Sequence, residues 1–418
     1  MIKYILLLPA LLAACSNPKQ NQNQHYLSVP VIDLDTETSR QVIVDREKDQ
    51  YLGHPTTVLL DDGHTMFIVY PKGHGKGEIV MQKSADGGFS WSGRLKTPES
   101  WKTSLEVPTI FKLTGPGGKR RLVIFSGLYP ARMAFSEDNG ETWSELKPLG
   151  DWGGIVVMSA VIPLNTGAGH YMALFHDDLR YFTADGKKTF DTDRQGNEQL
   201  HFTLYKTFTT DGGLTWSVPD TILSGREMNL CEPGIIRSPD GKQLAVLLRE
   251  NSRRHNSQVI FSGDEGRTWS KPASLPNELN GDRHVLRYTP DGRILAVFRD
   301  VSPAKAREGL IDTARTRKED NYSSVAGETR LGSPTEGDWV GWIGTWDDLV
   351  NRKPGQYRIR FRDNKSDWDC AYPGVELLPD STFVVTTYGH WDKNEQPYIL
   401  SVRFKVNELD KRLPQSKI

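Results

Sequence analysis

Short apolar runs alternate with polar turns along most of the chain. Two-residue turns break the apolar runs at four places, Asp62-Gly63, Asp240-Gly241, Asp291-Gly292 and Asp380-Ser381. Looser glycine-rich breaks occur at 115–118 and 166–169. Runs such as Thr65–Tyr70 and Gln243–Leu248 flank these six turns, and essentially no long amphipathic helix pattern lies between them. The pattern predicts an all-β chain built from hairpins.

An eight-residue motif occurs four times, out of phase with these turns. Its copies begin at Ser84, Ser136, Thr209 and Ser262, and each has Asp third, Gly fifth and Trp eighth. The Asp positions are 52, 73 and 53 residues apart, a spacing typical of propellers and repeat arrays. An Asp side chain can bond to its own turn and Gly permits a positive φ. We therefore expect the motif to stabilise hairpins and assign it no chemistry.

The motif resembles the Asp-box of the sialidase superfamily. In that family the Asp-box joins the outer two strands of a propeller blade, far from the active site. Together with the six turns, the resemblance implies a six-bladed β-propeller of four-stranded antiparallel blades with Asp-box hairpins. It covers roughly residues 28–408, and we expect residues 29–44 to close the ring against the last blade.

The N-terminus has the pattern of an export signal. An apolar run, residues 4–14, follows Lys3 and is shorter than the ~20 residues that span a bilayer. Its end, residues 12–15, resembles the bacterial lipobox, so we expect residues 1–15 to be a lipoprotein signal peptide with Cys15 as the lipidated residue. The polar composition of residues 16–27 predicts a flexible tether, and we expect residues 28–418 to form the propeller. The resemblance implies a cell-envelope protein, lipid-anchored in the outer membrane and facing the periplasm or the cell surface.

Composition narrows the classes of function. The 418 residues include 52 Lys and Arg against 53 Asp and Glu, so no net charge favours a nucleic-acid partner. Contact with a membrane is expected only through the N-terminal lipid. Three cysteines exclude a disulfide framework, although Cys231 and Cys370 are free to pair. No metal-ligand spacing is present, so the sequence predicts neither a metal nor another cofactor.

Alignment of the blades on their turns places one residue of each innermost strand near the propeller axis. These residues are His54, Val107, a position near Met158, Glu232, Arg283 and Tyr372. A second set ends the next strand of each blade and comprises Tyr70, His176 with Asp177, Arg249, Arg299 and Tyr388. An unpaired charge is costly to bury, so ionisable residues at matched positions predict a polar, largely cationic pocket. We expect its substrate-binding residues to be Arg249, Arg283, Arg299, His176, Asp177 and Tyr70.

Two segments resemble the catalytic strands of sialidases. Cys231-Glu232-Pro233, followed by Arg249, resembles the strand pair that carries a Glu base and a carboxylate-binding Arg. The segment from Asp369 to Pro373 resembles the one that carries the Tyr nucleophile. The resemblance implies that Tyr372 attacks an anomeric carbon while Glu232 takes the hydroxyl proton.

Two positions depart from the family pattern. His54 lies in Gly-His-Pro where sialidases have Arg-Ile-Pro, so the first of three carboxylate-binding arginines is missing. Glu78 occupies the region of the acid/base Asp, and Glu78 and His54 both remain candidates for that role. For the third arginine, Arg283 and Arg299 both fit by alignment.

Three further features remain open at the level of sequence. The insertion 302–338, with Arg330, fits either a loop over the funnel mouth or a solvated excursion. The run 253–255 fits the same two interpretations. His64 and His390 are expected on the surface.

These features predict an exo-acting glycoside hydrolase resembling sialidases. Its substrate would be a glycan or polysaccharide with a terminal acidic sugar, either a sialic acid or a uronic acid. One alternative is a propeller polysaccharide lyase or a His-dependent glycosidase that acts on uronic-acid-containing glycans. A second alternative is a non-catalytic glycan-binding lipoprotein.

Overall fold

Six sheets follow one another along the chain of the computed structural model and close into a ring. The structure describes residues 26–182, 201–302, 332–366 and 368–413. The predicted signal peptide with Cys15, residues 16–25 of the tether and residues 303–331 of the insertion, including Arg330, lie outside the described residues.

Each sheet is one blade of a β-propeller, so the predicted six-bladed fold is confirmed. Blade 1 contains β3 (Thr56–Leu59), β4 (Met66–Pro71) and β5 (Ile79–Ser84). Blade 2 contains β6 (Pro108–Thr114), β7 (Arg120–Ser126), β8 (Arg132–Ser136) and β9 (Lys147–Pro148). Blade 3 contains β10 (Ile155–Pro163), β11 (Tyr171–Asp177), β12 (Phe202–Thr209) and β13 (Asp220–Gly225). Blade 4 contains β14 (Leu230–Arg237), β15 (Leu244–Glu250), β16 (Gln258–Ser262) and β17 (Ala273–Ser274). Blade 5 contains β18 (Gly281–Tyr288), β19 (Ile294–Asp300), β20 (Trp339–Gly344) and β21 (Tyr357–Arg362). Blade 6 contains β22 (Ala371–Leu377), β23 (Phe383–Gly389) and β24 (Tyr398–Phe404). The two α-helices of the described residues are α1 (Trp346–Val350) and α2 (Val406–Asp410).

The N-terminal segment completes two neighbouring blades. Strand β2 (Gln41–Asp45) pairs antiparallel with β24, which bears out the expected closure of the ring against the last blade. Strand β1 (Val31–Asp33) instead pairs parallel with β21 of blade 5. As a result blade 5 has five strands, while the ladder of blade 1 has three. The other four blades have the expected four strands.

The four repeated motifs form turns with the same hydrogen bonds to their Asp, each after the third strand of its blade. In three of them the Trp also donates to the Gly carbonyl, whereas Trp91 Nε1 of the first has no partner among the described residues. In blade 4, Asp264 accepts bonds from the Thr268 amide at 2.9 Å, the Thr268 hydroxyl at 2.7 Å and the Ser262 hydroxyl at 2.8 Å. Trp269 Nε1 donates to the Gly266 carbonyl at 3.1 Å. Gly266 has a φ of +80°, and a Cβ there would lie 2.5 Å from the Met172 sulfur. The motif therefore works as a side-chain-stabilised turn that requires glycine.

The first strands of all six blades line the axis of the ring. Between them lies a cavity of roughly 380 Å³, which extends along β18 from Arg283 to Arg287. The interior of the ring between neighbouring sheets is apolar, and its largest buried side chains include Trp101, Trp339 and Trp391. Burial of a large apolar side chain contributes about 1.5–3 kcal/mol. Packing between blades thus fixes where the first residue of each inner strand lies.

Candidate active site

Five of the six inner strands have a non-glycine residue with a left-handed backbone within two positions of their first residue. These residues are His54, Val156, Glu232, Arg283 and Tyr372, with φ between +49° and +67°. In blade 3 the residue is Val156, two positions before the Met158 expected from sequence. Such a conformation costs about 1–3 kcal/mol and is concentrated at functional sites. Its recurrence at one end of the ring marks the funnel mouth as the candidate site.

β-Bulges accompany these residues and turn their side chains toward the axis. The pairing register shifts between Cys231 and Gly234 in β14, with similar shifts at the start of β10, β18 and β22. Gly234 lies so close to the next blade that a Cβ would be 2.0 Å from the His284 carbonyl oxygen. Gly374 approaches Thr57 in the same way, at 2.1 Å. Inner strands therefore meet tightly, and their first side chains converge.

Tyr372, Glu232 and Arg249 form a hydrogen-bonded chain at the centre of the funnel. The Tyr372 hydroxyl donates to Glu232 Oε1, and Arg249 Nη1 donates to the same oxygen at 2.8 Å. Burial and the Glu232 carboxylate raise the pKa of Tyr372 well above its ordinary value. Burial alone would raise the pKa of Glu232, but the charge of Arg249, the hydrogen bond from Tyr372 and the nearby His176 together make the net shift downward. At neutral pH the phenol keeps its proton and an ionised carboxylate is ready to accept it.

Three arginines surround one buried carboxylate, Asp282, which the sequence did not single out. Arg253 Nη1 and Nη2 bind its two oxygens at 2.5 and 2.6 Å, Arg299 Nε lies at 3.1 Å and Arg249 Nε at 3.3 Å. Burial opposes ionisation, yet the three guanidinium groups hold the pKa of Asp282 well below its ordinary value. Arg249 and Arg299, both expected to bind a substrate carboxylate, already bind a carboxylate of the protein.

Arg283 is the arginine of the funnel that the described residues leave without an ion pair. Its Nη1 donates to the Pro233 carbonyl at 3.5 Å and its Nε has no hydrogen-bond partner. The guanidinium carbon lies 5.5 Å from the centre of the Tyr372 ring. Burial lowers the pKa of Arg283, as expected for a cation that lacks a neighbouring anion. Among the predicted substrate-binding arginines, Arg283 is the one best placed to receive an external anion.

His54 forms the wall of the site beside Tyr372, and both of its ring nitrogens are bonded. Nδ1 accepts a bond from the Gly75 amide at 3.2 Å, and Nε2 lies 3.1 Å from the Tyr388 hydroxyl. The His54 and Tyr372 rings meet edge to face, with centroids 4.5 Å apart. Burial, with a smaller effect of His74, lowers the pKa of His54 to about 3. The imidazole is therefore neutral at ordinary pH.

Asp369 anchors a second polar cluster at the mouth. It accepts hydrogen bonds from Tyr388 at 2.9 Å and from Tyr51 at 2.9 and 3.0 Å. His74 Nδ1 and His390 Nε2 lie 3.2 and 3.4 Å from its oxygens. Burial would raise the pKa of Asp369, but the His390 and His74 contacts hold it well below its ordinary value. His390, expected on the surface, is largely covered by this cluster.

Two predicted residues of blade 3 lie behind the centre. His176 Nδ1 accepts a bond from the Glu232 amide at 3.4 Å, and burial lowers its pKa to about 4. Asp177 accepts bonds from the amides of Tyr181 and Phe182 at 3.0 and 3.1 Å, and its Oδ1 is unpartnered. Burial raises the pKa of Asp177 to about 7. His176 thus supports the backbone of Glu232, and Asp177 closes the next loop.

Two other predicted residues make their polar contacts away from the central cluster. The Tyr70 hydroxyl donates to Asp45 and lies 2.8 Å from Gln82 Oε1, so it ties blade 1 to β2. Glu78 is 37% exposed and lies 3.8 Å from Lys72 Nζ. Among the described residues, neither side chain is joined by a hydrogen bond or ion pair to Tyr372, Glu232 or Arg283, although Tyr70 packs in the same core cluster as Tyr372.

Glu106 is a further site residue that the sequence analysis missed, next to the aligned position Val107. Its Oε1 accepts a bond from the Val156 amide at 2.6 Å, and its Oε2 has no partner. Gly127 makes room for it, because a Cβ there would lie 2.0 Å from Oε2. Burial raises the pKa of Glu106 to about 8. The site therefore contains a carboxyl group that stays protonated at neutral pH.

The described residues contain no group of three or more side chains arranged to bind a metal ion. Within the same ranges, no helix is long and apolar enough to cross a lipid bilayer. Cys231 and Cys370 are both buried as free thiols beside the site.

Comparison with known proteins agrees with this architecture. Residues 129–326 match a family model described as a BNR repeat-like domain, and no curated protein matches the chain significantly. A Dyadobacter fermentans protein of unknown function is structurally similar, with a TM-score of 0.59, 14% identity, and coverage of 87% of this chain and 97% of that chain.

Two intramolecular trans-sialidases share the same fold. The enzyme from a leech, complexed with 2,7-anhydro-Neu5Ac, gives a TM-score of 0.53 at 13% identity over 87% of this chain and 69% of that chain. The enzyme from Ruminococcus gnavus, in complex with oseltamivir carboxylate, gives a TM-score of 0.53 at 15% identity over 86% of this chain and 95% of that chain. The repeat match thus covers 129–326, and the structural similarity shows that the chain shares the propeller fold of these enzymes.

Proposed function

We propose that the protein is an exo-acting glycoside hydrolase that removes a terminal acidic sugar from a glycan or polysaccharide. The observation that supports this most directly is the chain Tyr372–Glu232–Arg249 on the propeller axis. It joins a protonated phenol, an ionised carboxylate and a cation that keeps the carboxylate ionised. A general base in direct contact with a hydroxyl is the arrangement of an activated nucleophile.

The proposed reaction proceeds in two displacements. In the first, Glu232 takes the phenolic proton, the Tyr372 oxygen bonds to the anomeric carbon and the glycosidic bond breaks, while an acid protonates the leaving oxygen. In the second, water attacks the anomeric carbon, the bond to Tyr372 breaks and Glu232 returns the proton to the phenol. A phenol suits an acidic sugar because it approaches the substrate carboxylate uncharged.

The charge of the funnel supports an anionic substrate. Four guanidinium groups face three ionised carboxylates in the funnel. The cations are Arg249, Arg253, Arg283 and Arg299, and the anions are Glu232, Asp282 and Asp369. The surplus positive charge lies on Arg283, beside the Tyr372 ring. A guanidinium group can bind a carboxylate through two parallel hydrogen bonds. Sialic acid and uronic acids both carry the required carboxylate, and the leech enzyme of the same fold contains 2,7-anhydro-Neu5Ac.

Release of free sugar from defined glycans tests the proposal. The purified protein is incubated with sialosides and with glycans that end in a uronic acid, and the freed sugar is quantified. We expect turnover on one of these classes, its loss in Tyr372→Phe, and at least a hundredfold decrease in Glu232→Gln, the scale on which positioned acid/base groups act. Tyr288→Phe is the matched control, since that hydroxyl bonds to the Arg237 carbonyl at the far end of β18.

Two outcomes would overturn the proposal. If no sugar is released from any substrate while glycan affinity is the same in wild type and Tyr372→Phe, the protein is a glycan-binding propeller. If an unsaturated product with ultraviolet absorbance forms instead, the protein is a lyase.

A further inference from the structure

His74 lies on the loop between β4 and β5, at the funnel mouth. The loop is fixed at two points, where the Gly75 amide donates to His54 Nδ1 at 3.2 Å and the Lys72 amide donates to the Glu78 carbonyl at 3.1 Å. A Cβ on Gly77 would lie 2.4 Å from the Lys72 carbonyl oxygen, so the path of the loop depends on glycine. His54 thus positions the loop that carries His74.

One edge of the His74 ring is bound and the other is open. Nδ1 lies 2.7 Å from the Tyr51 hydroxyl and 3.2 Å from Asp369 Oδ1. Because the Tyr51 hydroxyl donates its own proton to Asp369, Nδ1 must supply the hydrogen in both of its contacts. Nε2 has no partner among the described residues, and 56% of the side chain is exposed. This arrangement fixes the tautomer and leaves Nε2 available for proton transfer.

The position of His74 relative to the nucleophile suits a second catalytic group. Its ring centre is 4.9 Å from that of His54, which in turn is 4.5 Å from that of Tyr372. His74 is therefore one ring further toward solvent than the wall of the site. The exposed side chain of Trp368 lies beyond it, with ring centres 6.4 Å apart. A leaving group that departs toward solvent would pass Nε2.

The two residues first considered for acid/base chemistry are less suited to it. Both nitrogens of His54 are bonded within the protein, to Gly75 and Tyr388. The Glu78 carboxylate lies nearest to Lys72 and makes no contact with the wall formed by His54, Asp369 and Tyr388. His74 combines an orienting carboxylate with a free ring nitrogen at the mouth.

We propose that His74 is the general acid/base of the hydrolysis, held in orientation by Asp369 and Tyr51; this rests on the proposed function. In the first displacement, protonated Nε2 gives its proton to the glycosidic oxygen as the bond from that oxygen to the anomeric carbon breaks. In the second, neutral Nε2 takes a proton from the attacking water as the bond between the Tyr372 oxygen and the anomeric carbon breaks. The proton held by Glu232 returns to Tyr372, so every group regains its initial state.

Leaving-group dependence tests this role. Two substrates with the same acidic sugar are compared, one with a sugar leaving group and one with an acidic phenol, which departs without protonation. We expect His74→Gln to lower kcat/KM on the first substrate by about 10²–10⁴-fold and to have a far smaller effect on the second.

Two matched variants serve as controls. His64→Gln removes a histidine that also neighbours an Asp, but one that is 59% exposed on the Asp62-Gly63 turn. Glu78→Gln tests the other candidate on the same loop. Both should retain wild-type kcat/KM on both substrates.

The outcomes separate this inference from the proposed function. An equal loss on both substrates in His74→Gln, or no loss on either, overturns the role of His74. A selective loss in Glu78→Gln assigns the acid/base role to Glu78 and likewise overturns it. If the wild type hydrolyses neither substrate, the proposed function fails first. If the wild type is active, Tyr372→Phe is inactive and His74→Gln is unimpaired, the assignment of His74 alone is wrong.

Discussion

Arg253 binds Asp282 through both terminal nitrogens of its guanidinium group, at 2.5 and 2.6 Å. Arg249 and Arg299 approach the same carboxylate from other sides. Asp282 is fully buried, so it carries the one negative charge that holds three arginines together. This carboxylate is as much a part of the cationic funnel as the arginines, because without it their mutual repulsion would be uncompensated.

Replacement of Asp282 by Asn should therefore destabilise the fold. The variant leaves the buried Arg299 and the partly exposed Arg253 without their counter-charge, and loss of one partner of a buried ion pair typically costs about 3–5 kcal/mol. We expect a decrease of that size in the free energy of unfolding, measured by denaturant titration. Asp240→Asn, on an exposed turn, is the control and should change stability by less than about 0.5 kcal/mol. A similarly small effect of Asp282→Asn would contradict the role assigned to this carboxylate.

Arg283 should decide between acidic and neutral substrates. Because the other funnel arginines bind Asp282, Arg283→Gln removes the cation that is free to meet a substrate carboxylate. A charge-assisted hydrogen bond contributes about 1.5–3 kcal/mol, so kcat/KM on the acidic sugar should fall about 10- to 100-fold. The measurement compares this sugar with its neutral carboxamide analogue, on which Arg283→Gln should have little effect. Arg287→Gln, further along β18, is the control and should leave kcat/KM on both sugars unchanged. Equal decreases in kcat/KM on both sugars in Arg283→Gln would show that Arg283 does not bind the substrate carboxylate.

Glu106 should make stability depend on pH. Burial raises its pKa to about 8 in the folded chain from an ordinary 4.5. Between these values the folded state binds more protons than the unfolded state, so the free energy of unfolding decreases as pH rises. Glu106→Gln removes this dependence. As pH rises through that window, we expect the free energy of unfolding of the variant to increase relative to that of the wild type by up to about 1.4 kcal/mol per pH unit. Denaturant titrations across this pH range check the prediction, with Glu141→Gln, at an exposed position, as the control. A difference in the free energy of unfolding between Glu106→Gln and the wild type that does not change with pH would refute it.

The repeated turns should affect stability and leave catalysis intact. Asp264→Ala removes the acceptor of hydrogen bonds from Thr268 and Ser262, which should lower the free energy of unfolding by about 1–3 kcal/mol. The turn follows the third strand of blade 4, away from the funnel mouth, so kcat of the folded protein should not change. Arg267→Ala, in the same turn and exposed, should be neutral in both assays. Loss of kcat at unchanged stability in Asp264→Ala would show that the turns take part in function.

The ring and much of its centre follow from local sequence rules. Turns rich in Asp and Gly recur once per blade, and alignment on them finds Glu232, Arg283 and Tyr372, because each inner strand starts at a fixed distance from its turn. The rule is less accurate in blade 3, where Val156 lies two positions from the expected place. Pairing of β1 with blade 5 was not predicted, since a parallel pair between distant segments leaves no local pattern.

The rest of the site depends on contacts that sequence spacing does not encode. Asp282 precedes the aligned Arg283 by one residue, and only the β-bulge brings both toward the axis. His74 lies on a glycine-rich loop whose path is set by its bond to His54. Tyr70 matched the alignment of strand ends, but its hydroxyl is bonded to Asp45 of a strand that closes the ring. In each case a long-range partner determined the direction of the side chain.

Closure of the ring has a consequence for the order of folding. Strand β2 must wait for β24, whose first residue is synthesised more than three hundred positions later, before the two can pair. The bond between Tyr372 and Glu232 spans 140 residues, and that between Tyr388 and His54 spans 334. Contacts this distant in sequence form slowly. On the ribosome, the first five blades can assemble while the pocket is still open on one side, so the site is complete only when the ring has closed.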